Sequence, residues 1–351
     1  MELKNRIDAF SKLGAALIKI SKAELDKPSD TEHEVIQCIG DAFGGNGWFN
    51  EYNTRLAIEN LGKMLNQESL KSWIKPYTNQ IEINDQSPKN IGVIMAGNIP
   101  MVGFHDMLCV LVSGNTFKGK LSAKDKNLLP AVANLLIDLE PGFKGKIEFT
   151  EDKLEKVDAI IATGSNNTSR YMEYYFGKYP HIIRKNRNSV AIMSGRETKK
   201  ELEGLGHDIF TFFGLGCRNI SKVYIPNDYD LDKIFKASLK YSDIKDNNKY
   251  INNFEYHRAI YLLDNIDFYE NGFFILKPDA GIPSPVATLH YQHYNSIEEV
   301  VNELNLYKDK IQCIASNCDI PKSIPLGTVQ KPQLEDYADG IDTMNFLSSL
   351  S

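Results

Sequence analysis

The sequence predicts an α/β protein built on parallel sheets and preceded by a helical segment. Between residues 90 and 195, short apolar runs rich in β-branched residues alternate with helical patterns at a period of about 30 residues. A second alternation of the same kind covers residues 197–330. Before both, Ile7, Phe10 and Leu13 recur at helical spacing. These observations predict two Rossmann-like lobes behind an N-terminal helical layer.

Length and charge narrow the class of protein. A chain of 351 residues corresponds to about two domains with a sizeable buried core. It has 40 Lys and Arg against 46 Asp and Glu, so its net charge is 40 − 46 = −6. Without a long basic stripe, general binding of nucleic acid is not expected.

The start of the chain and its cysteines predict a cytoplasmic protein. The first 20 residues mix charged and apolar side chains, and no apolar run reaches the ~18 residues of a membrane span, so we expect neither a signal peptide nor a membrane span. Five cysteines are present without zinc-ligand spacing, which favours reduced thiols. His290 and His293 have no third ligand nearby in sequence, so no metal is predicted.

The predicted domains are residues 1–195, with N-terminal helices and a first lobe, residues 196–330, a second lobe, and residues 331–351, a C-terminal segment. In the N-terminal part, Pro28-Ser29-Asp30 is a predicted break and N-cap signal before a helix over 31–43, and Gly44–Gly47 is a predicted turn. The strands predicted for the first lobe are 90–96, 116–121, 146–150 and 158–163. Those predicted for the second lobe are 222–225, 258–263, 272–276, 286–291 and 311–315.

Cys217 is the candidate nucleophile. Gly214 and Gly216 precede it closely, so the backbone can turn tightly and a ligand can approach. Phe212 and Phe213 precede it and supply an apolar wall. The alternatives are a buried thiol in a glycine-rich turn and, for the aromatic residues, plain core packing.

Asn98 is the candidate oxyanion donor. It follows a predicted buried strand in the segment Gly97-Asn98-Ile99-Pro100, where its amide could face a developing negative charge. An ordinary turn asparagine carries about equal weight.

Further candidates fall at the predicted carboxyl ends of strands, where parallel sheets bind ligands. Lys118 and Lys120 lie two apart and point to one face, which suits ribose or phosphate as well as a solvated edge. Thr163-Gly164-Ser165 closes a strand and opens a helix, which indicates either a phosphate site or simple capping. His105, on the helix after the Asn98 turn, is more typical of a structural histidine.

Taken in order, these segments resemble the aldehyde dehydrogenase superfamily over about residues 90–346. Gly97–Pro100 resembles its Asn-Phe-Pro turn, Ser113–Ser122 its "AGNTVVLKPSE" strand, and Gly214–Cys217 its "GQxC" segment. Thr163-Gly164-Ser165 resembles its "TGS". The segments Gly214–Cys217, Ser284-Pro285-Val286 and Asp336–Asp342 are similar to the LuxC-type fatty acyl-CoA reductases.

The resemblance implies a reaction and a set of site residues. Residues 1–195 would contain the dinucleotide-binding lobe and residues 196–330 the catalytic lobe, with Phe104, Phe212 and Phe213 as candidate walls for an acyl chain. Cys217 would attack a fatty acyl thioester, either acyl-CoA or an acyl-protein, and the aldehyde would be released after reduction by a nicotinamide cofactor. Asn98 and the Cys217 backbone N–H would hold the oxyanion. The implied cofactor contacts are Lys118, Lys120, Ser122, Thr163, Gly164 and Ser165.

Two departures refine this expectation. Arg184 stands where hydrolytic relatives carry the water-activating Glu of "LELGGKSP", which favours a thioester over hydrolysis. Ala123 replaces the Glu of "KPSE" that accepts from the ribose 2′-OH of NAD, and Lys118, Lys120 and Lys124 lie close by in sequence. NADPH is therefore expected, with NADH as the alternative.

Two other functions stay open at this stage. One is a cysteine acyltransferase or thioesterase that uses Cys217 without a nucleotide. The other is a non-catalytic scaffold in an acyl-processing complex, although the retention of Asn98, Lys120, Gly164 and Cys217 argues against it. The sequence also leaves open acyl-transfer partner enzymes and a homo-oligomer.

Overall fold

The structure, a computed structural model, describes residues 1–164 and 166–350, without the side chains of Asn84, Asn166 and Asn167. The chain forms two compact units. The first comprises Met1–Lys185 and Gln333–Ser351, and the second comprises Asn186–Pro332.

The first unit begins with five helices, as the helical spacing predicts. They are α1 (Leu3–Ser21), α2 (Asp30–Gly45), α3 (Glu51–Met64), α4 (Gln67–Ile74) and α5 (Thr78–Asn84). The predicted N-cap is confirmed, because Ser29 and Glu32 form a reciprocal capping box at the start of α2. Phe10, Leu13 and Leu17 of α1 are fully buried in the core of this unit.

A five-stranded parallel sheet follows, in the order β3-β2-β1-β4-β5. Its strands are β1 (Asn90–Ile94), β2 (Thr116–Lys120), β3 (Ile147–Thr150), β4 (Ala159–Thr163) and β5 (His181–Arg184). Helices α6 (Phe104–Val112), α7 (Leu128–Leu139) and α8 (Asn166–Phe176) connect strands. The order is that of a doubly wound nucleotide-binding sheet, in which ligands bind where the strand order reverses, here beside β1 and β4.

The second unit contains a six-stranded sheet in the order β11-β6-β7-β10-β9-β8, parallel except for the β8–β9 pair. Its strands are β6 (Asn188–Ile192), β7 (Ile220–Pro226), β8 (Tyr269–Glu270), β9 (Ile275–Pro278), β10 (Thr288–Tyr294) and β11 (Ile311–Ser316). Its helices are α9 (Lys199–Phe210), α10 (Asp232–Ser238), α11 (Asn248–Leu263) and α12 (Ile297–Leu306). The fold class predicted from the sequence, two parallel-sheet α/β lobes with an N-terminal helical segment, is confirmed.

One predicted strand is wrong. Residues 258–263 form the end of helix α11, not a strand. The helix begins ten residues earlier, where the Asn247 side chain accepts hydrogen bonds from the backbone N–H groups of Lys249 and Tyr250. A short apolar run is compatible with a strand and with a buried helix. Here the Asn247 cap starts a helix that continues through residues 258–263.

The units divide the chain elsewhere than the sequence prediction does. The division falls after Lys185 rather than after residue 195, because β6 pairs with β7 and β11 and belongs to the second sheet. The C-terminal residues Gln333–Ser351, which include α13 (Thr343–Ser348), return to the first unit instead of standing apart.

Candidate active site

Cys217 lies in the tight turn that enters β7, in the second unit, and its side chain is exposed. The turn is closed by a hydrogen bond from the Asn219 backbone N–H to the Gly216 carbonyl, at 3.0 Å. Cys109, by contrast, is fully buried, and burial raises the pKa of its thiol. Exposure makes Cys217 the more suitable nucleophile of the two.

Asn219 fixes the Cys217 turn to the end of α9. Its buried side chain accepts a hydrogen bond from the Gly216 N–H at 2.9 Å. Its Nδ2 donates to the carbonyls of Asp208, Ile209 and Thr211 at 3.0, 3.3 and 2.8 Å. These carbonyls belong to the last turn of the helix and the residue after it, where intrahelical donors run out. One amide therefore caps α9 and shapes the turn.

The backbone of Cys217 is also tied to the sheet. The Ser189 hydroxyl of β6 donates to the Cys217 carbonyl at 3.0 Å. The same hydroxyl lies 2.9 Å from the Cys313 sulfur of β11 and accepts from the Cys313 N–H at 3.2 Å. The candidate nucleophile is therefore carried on a turn with two independent anchors.

The two phenylalanines before this turn are buried in a strained conformation. Phe212, Phe213 and Gly214 have φ values of 53°, 58° and 76°, in the left-handed region that favours glycine. Phe213 and Gly214 line a small cavity of about 30 Å³, at which Tyr250 also lies. The cavity is about the size of one water molecule. Phe104 lies in the core of the first unit, so it serves core packing.

Asn98 is exposed on the turn that follows β1, in the first unit. A Cβ atom on Gly97 would overlap the Ser122 hydroxyl, so the backbone after β1 comes very close to the loop after β2. The structure thus places the Asn98 turn beside Ser122, as expected for residues after neighbouring parallel strands.

The two candidate lysines of β2 both have partners. Lys118 forms an ion pair with Glu148 across the β2–β3 pair at 3.4 Å. The Lys120 ammonium donates to the backbone carbonyls of Glu151 and Asp152 at 3.0 and 2.8 Å. Both ammonium groups therefore have partners on β3 or in the loop that follows it.

Thr163 and Gly164 lie at the carboxyl end of β4, directly before α8, and both are half-buried. The Gly164 N–H donates to the Arg184 carbonyl at 3.4 Å. Ser165 lies outside the described residues. Thr163 and Gly164 thus lie between a strand and a helix, a position that is typical of phosphate sites.

Arg184 is a buried structural cation. Its guanidinium forms a bidentate ion pair with Asp106 of α6 at 2.7 and 2.9 Å and donates to the Thr343 hydroxyl of α13 at 2.9 Å. The neighbouring His105 donates from Nε2 to the Leu334 carbonyl at 2.9 Å, and burial lowers its pKa. Arg184 and His105 therefore both bind the C-terminal segment of the first unit. For His105 this is the structural role that the sequence predicts.

Within residues 1–164 and 166–350, no group of three or more His, Cys, Asp or Glu side chains could hold a metal ion. None of the helices in these ranges combines the length and the apolar character needed to cross a bilayer.

Sequence reasoning missed the residues that hold the candidate site in shape. Asn219 follows Cys217 by two positions, and an Asn at the end of a glycine-rich turn is a signal that could have indicated an Asx-type contact. Asn46 and Asp125, which contact the Asn98 turn, carry no local signal beyond turn chemistry.

Solved structures with the same fold include several aldehyde dehydrogenases. Aldehyde dehydrogenase 21 from Physcomitrella patens, in complex with succinate, has a TM-score of 0.68 at 12% identity, covering 99% of this chain and 84% of that one. The propionaldehyde dehydrogenase from Clostridium phytofermentans gives 0.57 at 12% identity, covering 95% and 82%. An NAD⁺ complex of an aldehyde dehydrogenase from Bacillus cereus gives 0.57 at 15%, covering 92% and 73%.

The fold is therefore that of the aldehyde dehydrogenases. A model of the acyl-CoA reductase (LuxC) family matches residues 54–319, and the chain belongs to this family. It is accordingly an oxidoreductase that acts on acyl or aldehyde groups, as predicted from the resemblance. No curated protein sequence matches the chain.

Proposed function

We propose that the chain reduces a fatty acyl thioester to the aldehyde through a covalent intermediate on Cys217. The observation that carries this proposal is an exposed cysteine on a turn held by Asn219 and Ser189, in a chain of the acyl-CoA reductase family. A nucleophile needs access to substrate together with a fixed backbone, and this turn provides both.

In the proposed first step, the Cys217 thiolate attacks the thioester carbonyl carbon and a new C–S bond forms. Asn98 and the Cys217 N–H are assigned to the oxyanion, where one such donor is typically worth about 3 kcal/mol. Collapse of the oxyanion breaks the bond to the thiol of the acyl carrier, which leaves as a thiolate and takes a proton from solvent. One thiolate replaces another, so no water is needed.

The residues at the carboxyl edge of the first sheet fit a dinucleotide. Lys120 supplies a cation, Ser122 a hydroxyl, and Thr163 and Gly164 the start of a helix beside the point of strand reversal. Lack of a Cβ at Gly97 allows the backbone to approach Ser122. A bound nicotinamide would supply the hydride that reduces the acyl-enzyme, after which the Cys217 thiolate leaves and the aldehyde is released.

We propose NADPH as the preferred cofactor. Ala123 and Lys124 are exposed on the loop after β2, beside Ser122. An Ala there removes the carboxylate that would repel a 2′-phosphate, and Lys124 adds an attractive charge. Lys118 contributes less, because Glu148 is already its partner.

Hydrolysis of the acyl-enzyme is disfavoured in this proposal. The position that resembles the water-activating Glu of hydrolytic relatives is Arg184, which is buried and paired with Asp106. A guanidinium stays protonated and cannot act as a general base.

The experiment compares the wild type with Cys217→Ala, using Cys318→Ala as a matched control on a half-buried thiol of the same unit. Short-, medium- and long-chain acyl-CoA thioesters are supplied with NADPH or NADH, and absorbance follows cofactor oxidation. We expect turnover to be lost in Cys217→Ala and kept in the control, because only Cys217 forms the acyl-enzyme. Cofactor binding should be unchanged, and NADPH should give the higher kcat/KM.

Intact-mass measurement after incubation with acyl-CoA separates the alternatives. An acyl adduct on the wild type and none on Cys217→Ala supports the proposal. Adduct formation with no response to either cofactor would identify an acyltransferase or thioesterase. Turnover in Cys217→Ala at the wild-type rate would remove Cys217 from the reaction, and neither adduct nor turnover would favour a scaffold.

A further inference from the structure

Asn46, in the loop between α2 and α3, reaches the two loops that carry candidate site residues. Its side chain is buried, with 6% exposed. Its Nδ2 donates to the Gly97 carbonyl at 3.4 Å, after β1, and to the Lys124 carbonyl at 3.3 Å, after β2. Its Oδ1 accepts from the Trp48 N–H at 3.2 Å, which fixes the direction of the amide.

A second contact holds the other end of the Asn98 turn. The Asp125 carboxylate accepts a hydrogen bond from the Met101 N–H at 3.0 Å, and Met101 has a φ of 65°. Such a conformation persists in a non-glycine residue only when its surroundings hold it. Residues 97–101 are therefore held at both ends, and the loop after β2 takes part in both contacts.

We infer that Asn46 is a positioning residue that holds the Asn98 turn against the loop carrying Ser122. The inference rests on the proposed function, in which Asn98 holds the oxyanion and Ser122 contacts the cofactor. It assigns the N-terminal helical segment a part in the reaction: the residue directly after α2 sets the geometry of both loops.

The chemistry of the contact requires an amide at this position. Two carbonyls converge on one NH₂ group, and each would lose its partner if that group were removed. An Asp of the same shape would keep the acceptor for Trp48 but turn a carboxylate oxygen toward two carbonyls. Asn46→Asp therefore tests the donor, and Asn46→Ala tests the whole side chain.

The kinetic test is a double-mutant cycle with acyl-CoA and saturating NADPH. The variants are Asn46→Ala, Asn98→Ala and the combination of both, with Asn46→Asp added as a single change. Asn66→Ala is the matched control, because Asn66 caps α4 and contacts neither loop. All variants are first checked for a cooperative thermal transition.

We expect Asn46→Ala and Asn46→Asp to lower kcat by about 10- to 100-fold, as for a misplaced reacting group. The combined variant should be no slower than Asn98→Ala alone, since Asn46 acts through Asn98. Asn66→Ala should lose stability while keeping kcat. If Asn46 had only a structural role, its effect on kcat would multiply with that of Asn98→Ala in the combined variant. That result overturns the inference.

Hydrogen exchange at the Met101 amide gives a readout that needs no turnover. We expect faster exchange there in Asn46→Ala and Asn46→Asp than in Asn66→Ala, because the turn is released at its Gly97 end. Unchanged exchange overturns the inference whatever the kinetics. If Asn98→Ala keeps the wild-type rate, or the wild type does not reduce acyl-CoA, it is the proposed function that fails. Exchange still decides whether Asn46 holds the turn.

Discussion

At the scale of single residues, Asp208 is the most unusual ionisable group near the Cys217 turn. It lies in the last turn of α9 with no exposed surface. One carboxylate oxygen accepts from the Gly327 N–H at 2.6 Å, whereas Oδ1 has no hydrogen-bond partner among the described residues. Burial outweighs the hydrogen bonds and raises the pKa of Asp208 to about 7.

This pKa predicts a pH-dependent stability that Asp208→Asn removes. Because the pKa is raised on folding from 3.8 to about 7, the stabilisation is complete below pH 3.8 and is lost as the pH rises toward 7. In that window the folded state binds more protons, so unfolding free energy falls by up to about 1.4 kcal/mol per pH unit. Guanidinium unfolding between about pH 5 and pH 6.5 should show this slope in the wild type and a smaller one in Asp208→Asn.

The control for this prediction is Asp228→Asn, an exposed carboxylate in the same unit. It should leave the slope of the wild type unchanged. Equal slopes for the wild type and Asp208→Asn would mean that Asp208 ionises in the folded state much as it does in the unfolded chain.

At the scale of elements, the turn between α9 and β7 combines strain with dense hydrogen bonding. Three consecutive residues in the left-handed conformation precede the Cys217 turn. The Asn219 side chain holds the Gly216 N–H of the turn, and the Ser189 hydroxyl holds the Cys217 carbonyl. Residues keep such a strained backbone conformation only where contacts with their surroundings hold them in it. The turn that carries Cys217 is therefore stabilised by the hydrogen bonds of Asn219 and Ser189.

Asn219→Ala should lower the unfolding free energy by about 2–4 kcal/mol, because the Gly216 N–H and three buried carbonyls lose a partner. Hydrogen exchange at Gly216 should speed up, and the rate of acyl-adduct formation should fall. Asn227→Ala is the control, since Asn227 is exposed and bonds only Asn295 among the contacts described. A loss no larger than that of the control would show that the turn is held by other contacts.

Some elements of this fold can be predicted from local sequence patterns, and others cannot. Strands β1 and β4 could be predicted because continuous apolar runs are typical of buried parallel strands. Strands β5 and β6 went unrecognised, because each is short and the charged segment between them hides the pattern. The positions of Asn98 and Cys217 on turns next to strands could also be predicted, whereas the anchors Asn46 and Asn219 depend on tertiary contacts that no local pattern encodes.

At the scale of the whole chain, the C-terminal segment completes the first unit. The Tyr337 hydroxyl accepts from Trp73 Nε1 at 2.8 Å, and Tyr77 donates to the Asp342 carboxylate at 2.8 Å. The Arg184 guanidinium also donates a hydrogen bond to the Thr343 hydroxyl in this segment. The segment Asp336–Asp342, which carries part of the resemblance to the family, is thus built into the packing of this unit.

Replacing Arg184 should unfold the first unit rather than change the reaction. Arg184→Met leaves Asp106 charged and buried, which typically costs 3–5 kcal/mol, and Asp106→Leu in the same chain should recover much of the loss. Arg184→Glu, which restores the carboxylate of hydrolytic relatives, should be the least stable and should yield no free acid. Thermal melts and product analysis check this, with the exposed Arg170→Met as control. A stable Arg184→Glu variant that releases acid would place Arg184 in the chemistry.

The chain leaves its first unit after Lys185 and returns to it only at Gln333. During synthesis, the stretch that forms the second unit therefore emerges from the ribosome as a continuous piece and can fold while the first unit still lacks Tyr337 and Thr343. The first unit gains these two contacts only when residues 333–350 have been translated. A nascent chain stalled before Gln333 is then expected to carry a complete Cys217 turn, while its first unit is still incomplete and accessible to chaperones.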